Sequence, residues 1–349
     1  MPAQQSGALL SVEDLHVSFS TADGVVRAVR GVSFSVARGR TLGIVGESGS
    51  GKSVATQTIV GLTRGARVAG RATLDGEDLL GASPEALRRI RGAKIGMIFQ
   101  DPLSSLHPYY KVGWQIVEMI REHERGTSKA AARLRAVELL DAVGIPSPRT
   151  RIDSYPHEFS GGMRQRVMIA MAMALRPAVL VADEPTTALD VTVQAQVLDV
   201  MRGVQQEFGT AIVLITHDLG VVADLADDVV VMYGGQVMER APRRELFYRN
   251  HHPYTEGLLR SLPTTAPREK GRRSKLTPIS GSPPSSITPP PGCPFEPRCA
   301  YAFDKCGQKP PFREIGTAGD HESACWLPAD RAERQLGTSN GPRRAQAAP

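Results

Sequence analysis

No apolar run in this sequence is long enough to cross a bilayer. The longest, Val167 to Leu175, is closed by Arg176 and Pro177, far short of the roughly 20 residues a spanning helix needs. The opening stretch Met1 to Leu10 is short and polar, so no secretory signal is expected. Charge of one sign is also scarce. Lys and Arg outnumber Asp and Glu by 42 to 36, a net +6, which permits contact with an anionic membrane face but does not mark a nucleic-acid binder. The first 292 residues hold no cysteine, which excludes a disulfide-stapled secreted scaffold. No internal repeat signals a solenoid or a second copy of any unit. A chain of 349 residues that is 41% hydrophobic and 22% charged is ordinary globular composition, with enough apolar mass for one large or two modest domains.

From Leu9 to about Ser261, short apolar runs alternate with amphipathic segments, the pattern of a mainly parallel sheet flanked by helices. Buried strands are expected at Leu42–Val45, Met97–Phe99, Val179–Ala182 and Ile212–Ile215. The Asp23-Gly24 pair predicts an early antiparallel hairpin. Val193, Val197, Val200, Val204 and Phe208 recur at helical spacing and mark a helix packed on the sheet; Ala130 to Val143 reads as another, stopped by Gly144. Residues 262–291 are rich in Pro, Ser, Thr and basic residues and read as a linker, whose 268–275 stretch is either solvated or apposed to anionic lipid. A Cys-bearing module is expected at 292–328 and a disordered tail at 329–349.

Gly46-Glu-Ser-Gly-Ser-Gly-Lys-Ser53 matches G-x-x-x-x-G-K-[ST] between an expected strand and an expected helix from Ser53 to Leu62. The glycines Gly46, Gly49 and Gly51 let backbone N–H groups wrap phosphate oxygens, with Ser48, Ser50 and Val54 in the same cradle. Lys52 suits the β- and γ-phosphates, and the Ser53 hydroxyl suits Mg²⁺. Val179 to Glu184 is an apolar strand ending in two carboxylates. Asp183 is placed to hold Mg²⁺ through water, and Glu184, one step on, suits a general base for attacking water. His217 and Gln100 follow other strands on the face where open α/β sheets bind ligands. Gln100 carries no charge, so its expected work is to orient the γ-phosphate and Mg²⁺.

Phe159-Ser-Gly-Gly-Met-Arg-Gln165 precedes an apolar helix that Ser160 can cap, with Gly161 and Gly162 exposing its N-terminal amides to an anion. In this order the set resembles the ABC ATPases over about residues 9 to 261. Gly46–Ser53 looks like Walker A, Gln100 the Q-loop, Ser160–Gln165 the signature, Asp183–Glu184 Walker B with the catalytic Glu, Ala188-Leu-Asp190 the D-loop and His217 the switch His. Phe159 and Met163 stand where the family usually has Leu and Gln, while Ser160 and Gly162 are kept. Phe19 is placed either to stack on adenine or to pack in the core.

The resemblance implies an α/β fold: a RecA-like P-loop core with an antiparallel β subdomain and a helical subdomain at about 101–178. It also implies head-to-tail pairing of two such subunits, each nucleotide lying between Walker A of one and the signature of the other. Tyr155-Pro-His-Glu-Phe159, His252-Pro-Tyr-Thr255, Leu258 to Pro263 and Gly292-Cys-Pro-Phe-Glu-Pro-Arg-Cys299 resemble the oligopeptide, dipeptide and nickel importer ATPases. That likeness implies ATP hydrolysis with Mg²⁺ on the cytoplasmic face of an inner membrane. The implied partners are a second ATPase subunit, more readily a relative than a copy, two membrane permease subunits and, indirectly, an extracytoplasmic binding protein, with no nucleic acid. Peptide is the leading cargo and nickel the alternative. A soluble ABC ATPase of DNA repair or translation is disfavoured by the lack of long insertions or a second core. An inert regulatory subunit is disfavoured because Lys52, Asp183, Glu184 and His217 are all present. The segment Asp101 to Gly113, with Tyr109 and Tyr110, resembles the groove that receives a permease helix; helical-subdomain packing is the other reading.

Cys293, Cys299, Cys306 and Cys325 leave gaps of five, six and eighteen residues. Tight C-x₂₋₄-C zinc pairs are missing, and wider spacing suits a cubane cluster. The likeness to peptide-importer tails implies a [4Fe–4S] cluster; zinc, disulfides and free thiols are the alternatives. The distance in sequence from the ATP motifs points to a structural role in which binding supplies folding energy.

Overall fold

The computed structural model describes residues 7–101, 105–187, 189–262, 278–316 and 319–329. In chain order its strands are β1 (Ala8–Thr21), β2 (Gly24–Ala37), β3 (Thr41–Val45), β4 (Arg67–Leu74), β5 (Glu77–Asp78) and β6 (Ile95–Ile98). They continue with β7 (Val179–Asp183), β8 (Ala211–Thr216), β9 (Asp228–Tyr233), β10 (Gln236–Pro242), β11 (Arg313–Glu314) and β12 (Glu322–Ser323).

The Asp23-Gly24 turn makes the expected hairpin, pairing Thr21 with Gly24. Leu10 and Val12 are buried, and so are Leu15 and Val17, one step out of phase. A slip of one residue would turn the second pair to solvent. The register shift between Val12 and Leu15, with Asp14 at φ 46°, absorbs it and keeps all four on one face. These strands join β4 and β5 in an antiparallel sheet ordered β2-β1-β4-β5.

The second sheet runs β11-β12-β10-β9-β3-β8-β7-β6. From β9 to β6 its pairings are parallel. Every residue of β3, β7 and β8 is buried, which is why these strands read as continuous apolar runs and not as alternation. One core cluster fills the space between the two sheets, joining Leu10, Phe34 and Leu74 to Ile44, Val181 and Val213. Another joins the sheet to the helices Val112–His123, Lys129–Ala142 and Gly161–Ala172, which occupy the expected helical subdomain. Ser128 caps the middle helix by accepting from the Ala131 N–H, and Gly144 turns the chain away at φ 74°.

The C-terminal region packs against the nucleotide sheet. Strand β12 pairs with β10 at the edge of the nucleotide sheet. Glu239 on β10, fully buried, accepts from the backbone N–H groups of His251 and His252 and pairs with the His321 imidazole at 2.7 Å. Of the expected linker, residues 263–277 lie outside the described residues, as do 330–349 of the tail. Residues 278–291 lie on the ATPase core: Ser286 O accepts from the Arg27 N–H at 2.8 Å, and Ile279 packs with Tyr254 and Phe295.

Candidate active site

The phosphate-loop motif closes β3 and opens the helix Lys52–Ile59. Two glycines are fixed by close approach. A Cβ on Gly46 would sit 2.1 Å from Met232 O, and one on Gly51 2.4 Å from Ala28 O, so no other residue fits. Lys52 is buried, and its Nζ donates to Gly46 O at 2.7 Å and Glu47 O at 2.9 Å inside the loop. Burial pushes its pKa down, against the pull of Glu184, Asp183 and Glu47. Ser48 and Gly49 are exposed at the tip, while Ser50 is buried.

Asp183 ends β7 beside this loop. Its carboxylate accepts from Ser53 Oγ at 2.7 Å and from Gln57 Nε2 at 3.4 Å. Burial raises its pKa, tempered by those two hydrogen bonds. A hydroxyl and a carboxylate meeting at the phosphate loop form the hard oxygen donor pair that Mg²⁺ takes alongside phosphate, so these residues fit that ion.

Glu184 leaves the strand at φ 50°, its N–H held by Ile215 O at 2.8 Å. Its carboxylate accepts from Gln100 Nε2 at 3.0 Å and Thr187 Oγ1 at 2.8 Å, and His217 Nδ1 lies 3.3 Å away. Burial pushes Glu184 up, but the hydrogen bonds from Thr187 and His217 and the positive charge of Lys52 outweigh it, leaving the carboxyl below its usual range. Lys52, Ser53, Gln100, Asp183, Glu184 and His217, read from four separate stretches of sequence, thus form one connected constellation.

Ser160, Gly161, Gly162 and Asp190 stand apart from it. Ser160 Oγ caps its helix by accepting from the Met163 N–H at 3.4 Å, and Asp190 caps the helix Val191–Phe208 through the Val193 N–H at 3.0 Å. The two helix starts touch where a Cβ on Gly162 would lie 2.3 Å from Val193 Cγ1. Ala188 of the expected D-loop lies outside the described residues. Phe19 is half-buried against the inter-sheet core, and Val54 packs on the same cluster.

Sequence reasoning missed Gln57, Thr187, Glu47, Tyr254 and Arg298. Gln57 follows Ser53 by four residues and shares its helix face, a readable signal. Thr187 carries none. Arg298 donates to both oxygens of Glu47, at 2.7 and 3.0 Å, and the Glu47 N–H donates to Tyr254 Oη at 2.8 Å. The C-terminal region therefore touches Walker A, and distance along the chain gives no ground for separating it from the ATP site.

Cys293, Cys299, Cys306 and Cys325 line one cavity with Phe295, Tyr301 and Trp326, and no disulfide joins any of them. Burial, then mutual repulsion, pushes Cys293 up to about 11 and Cys299 up to about 12. Among the described residues, no three His, Cys, Asp or Glu side chains converge closely enough for a single metal ion. Four thiols lining one cavity are the donor type that zinc or an iron–sulfur cluster takes.

No helix among the described residues is long and apolar enough to cross a membrane. Residues 29–187 match the ABC transporter family model, and residues 238–306 match the oligopeptide/dipeptide transporter C-terminal region. The dipeptide transport ATP-binding protein DppD of Bacillus subtilis is 49% identical over 94% of this chain and 97% of its own length. The oligopeptide transport ATP-binding protein OppD of Escherichia coli is 49% identical over 94% of this chain and 95% of its own length. Among solved structures, the dimeric ATP-binding cassette MJ0796, in a post-hydrolysis state with ADP and Pi, superposes with a TM-score of 0.61 at 26% identity, covering 67% of this chain and 99% of that one. Motifs, site geometry and relatives agree: the chain belongs to the ABC transporter ATPases, in the branch of the oligopeptide and dipeptide transport ATP-binding proteins.

Proposed function

We propose that this chain is the ATP-hydrolysing subunit of an importer for di- or oligopeptides, acting at the cytoplasmic face of the plasma membrane. The observation that carries the cargo assignment is near-full-length likeness to DppD and OppD, which includes the C-terminal region. Nickel is the alternative cargo.

In this reading, loop N–H groups from Gly46 to Val54 and the Lys52 ammonium bind the phosphates of ATP. Ser53 and Asp183, with Gln100 in reach of the γ-phosphate, hold Mg²⁺, which when bound neutralises charge on the β- and γ-oxygens. Glu184, ionised and fixed by Thr187, Gln100 and His217, accepts a proton from the attacking water. His217 steadies the carboxylate and the γ-phosphate. Phe19 stacks on the adenine. Ser160, Gly161 and Gly162 of one subunit and Asp190 close over the nucleotide of a second, related subunit, where helix N-terminal amides meet the γ-phosphate.

The permease contact lies at the start of the helical subdomain. Tyr109 is 83% exposed, and Tyr110 and Trp114 stack at 4.2 Å while leaving nearly half their surface to solvent. Exposed, mutually braced aromatics of this kind anchor partners. The four cysteines hold a [4Fe–4S] cluster, with zinc as the alternative; its contribution is folding energy for a region with little core of its own.

The deciding experiment places the chain with its permeases and binding protein in vesicles. Peptide-stimulated ATP hydrolysis is expected, and stimulation by nickel but not by peptide would overturn the cargo assignment.

A further inference from the structure

Glu47 is the second residue of the phosphate loop, and no phosphate chemistry requires a carboxylate there. The structure nevertheless grips it from three sides. Its carbonyl accepts from Lys52 Nζ at 2.9 Å, its N–H donates to Tyr254 Oη at 2.8 Å, and its carboxylate receives both Nη atoms of Arg298. The partners on the far side all belong to the C-terminal region. Arg298 is almost wholly buried, its side chain 5% exposed. It is itself held by Tyr233 Oη at 3.0 Å, Ile279 O at 3.2 Å and Ser280 O at 2.8 Å. Tyr233, Tyr254 and Phe295 pack their rings together beneath it, with centroids 4.6 to 5.4 Å apart.

We propose that Arg298 is a positioning residue for ATP binding: through Glu47 it fixes the strand-side end of the phosphate loop, and so the place of Lys52. A bidentate guanidinium–carboxylate pair, here with the guanidinium buried and the carboxylate partly exposed, is a directional contact that a lysine cannot reproduce. The base of the loop is already pinned, since Gly46 lies against Met232. Glu47 is therefore the first residue with freedom to move, and it carries one of the two main-chain oxygens that hold the Lys52 ammonium. The Cys-bearing region, which touches no other residue of the phosphate loop by hydrogen bond among the described residues, acts on nucleotide affinity through this single pair together with Tyr254. The proposal rests on the ATP site described above.

The test is MgATP binding and the KM-against-kcat split in the full-length chain, with thermal melting as a check on folding. Arg298→Gln is expected to weaken ATP binding and raise KM about tenfold, the loss of one charge-assisted contact, with kcat little changed. Arg298→Lys recovers part of that loss. Glu47→Gln, made on the loop side, gives the same rise, and the double variant is no worse than either single one. Arg313→Gln, which loosens the same C-terminal region at Cys325 O without touching Glu47, leaves KM unchanged. A folded Arg298→Gln with KM within about twofold of the parent overturns the proposal, as do effects that multiply in the double variant. So does an equal rise in Arg313→Gln, which would mean general loosening. Lys52→Ala tests the ATP site separately: if it binds ATP like the parent, the site assignment fails and this proposal with it.

Discussion

Replacing Glu184 by Gln keeps size and shape and removes the proton acceptor. With the amide oxygen in place of Oε2, which now accepts from Thr187 Oγ1 at 2.8 Å and Gln100 Nε2 at 3.0 Å, both of those contacts are kept, and the amide nitrogen faces His217 Nδ1, which lies 3.3 Å from Oε1. One hydrogen bond is lost, a local cost of about 1–3 kcal/mol. Loss of a positioned base costs roughly 10²–10⁴ in rate, or about 3–5 kcal/mol at 1.36 kcal/mol per decade. The chemical penalty exceeds the structural one, and it falls on turnover, because the contacts of Lys52 and Ser53 do not run through Glu184. Phosphate release should therefore drop by about 10²–10⁴, with ATP affinity held and ATP-bound dimers accumulating on size-exclusion chromatography. Where the second subunit is a relative, its own site is silenced first. Hydrolysis within about tenfold of the parent would falsify the role of Glu184 as base.

Glu239→Gln breaks a buried pair with His321 and should cost about 3–5 kcal/mol at neutral pH by denaturant melting. Because the folded-state pKa of Glu239 is depressed, by hydrogen bonds that outweigh its burial, its contribution is present above the unfolded value of about 4.3 and lost as pH falls through the folded one; the variant should lose that acid dependence, and an unchanged acid melting curve would refute the assignment. Gly162→Ala drives a methyl into Val193 Cγ1 and should cost about 1–3 kcal/mol and impair hydrolysis, with Val193→Ala restoring both; no rescue would place the fault elsewhere. Cysteines at positions 105–110 should crosslink to the permease subunits, and none doing so would reject Tyr109 and Tyr110 as the contact. Anaerobically purified protein should be brown, with iron and acid-labile sulfide near four per chain; colourless protein with one zinc and no sulfide would exclude the cluster, and Cys299→Ser abolishing hydrolysis in a folded, assembled complex would exclude a purely structural role.

The sequence by itself determined the parts whose chemistry is local. A phosphate loop is eight consecutive residues whose backbone does the binding, so Gly46 to Ser53 could be read directly. Asp183 and Glu184 were legible because a buried strand ends at a fixed place, and Ser160 because a helix cap is set by the residues beside it. The parallel strands announced themselves as unbroken apolar runs. Tertiary structure alone decided what joins residues far apart. The contacts of Arg298 to Glu47 span 251 positions, and that of His321 to Glu239 spans 82. Neither has a period or a local partner to reveal it. Such contacts exist only once β12 has docked on β10 and residues 278–291 have crossed β2, because a buried charge finds its partner through packing and not through spacing along the chain. For the same reason the docking of the C-terminal region on the nucleotide sheet and beside the phosphate loop had no signal in the sequence.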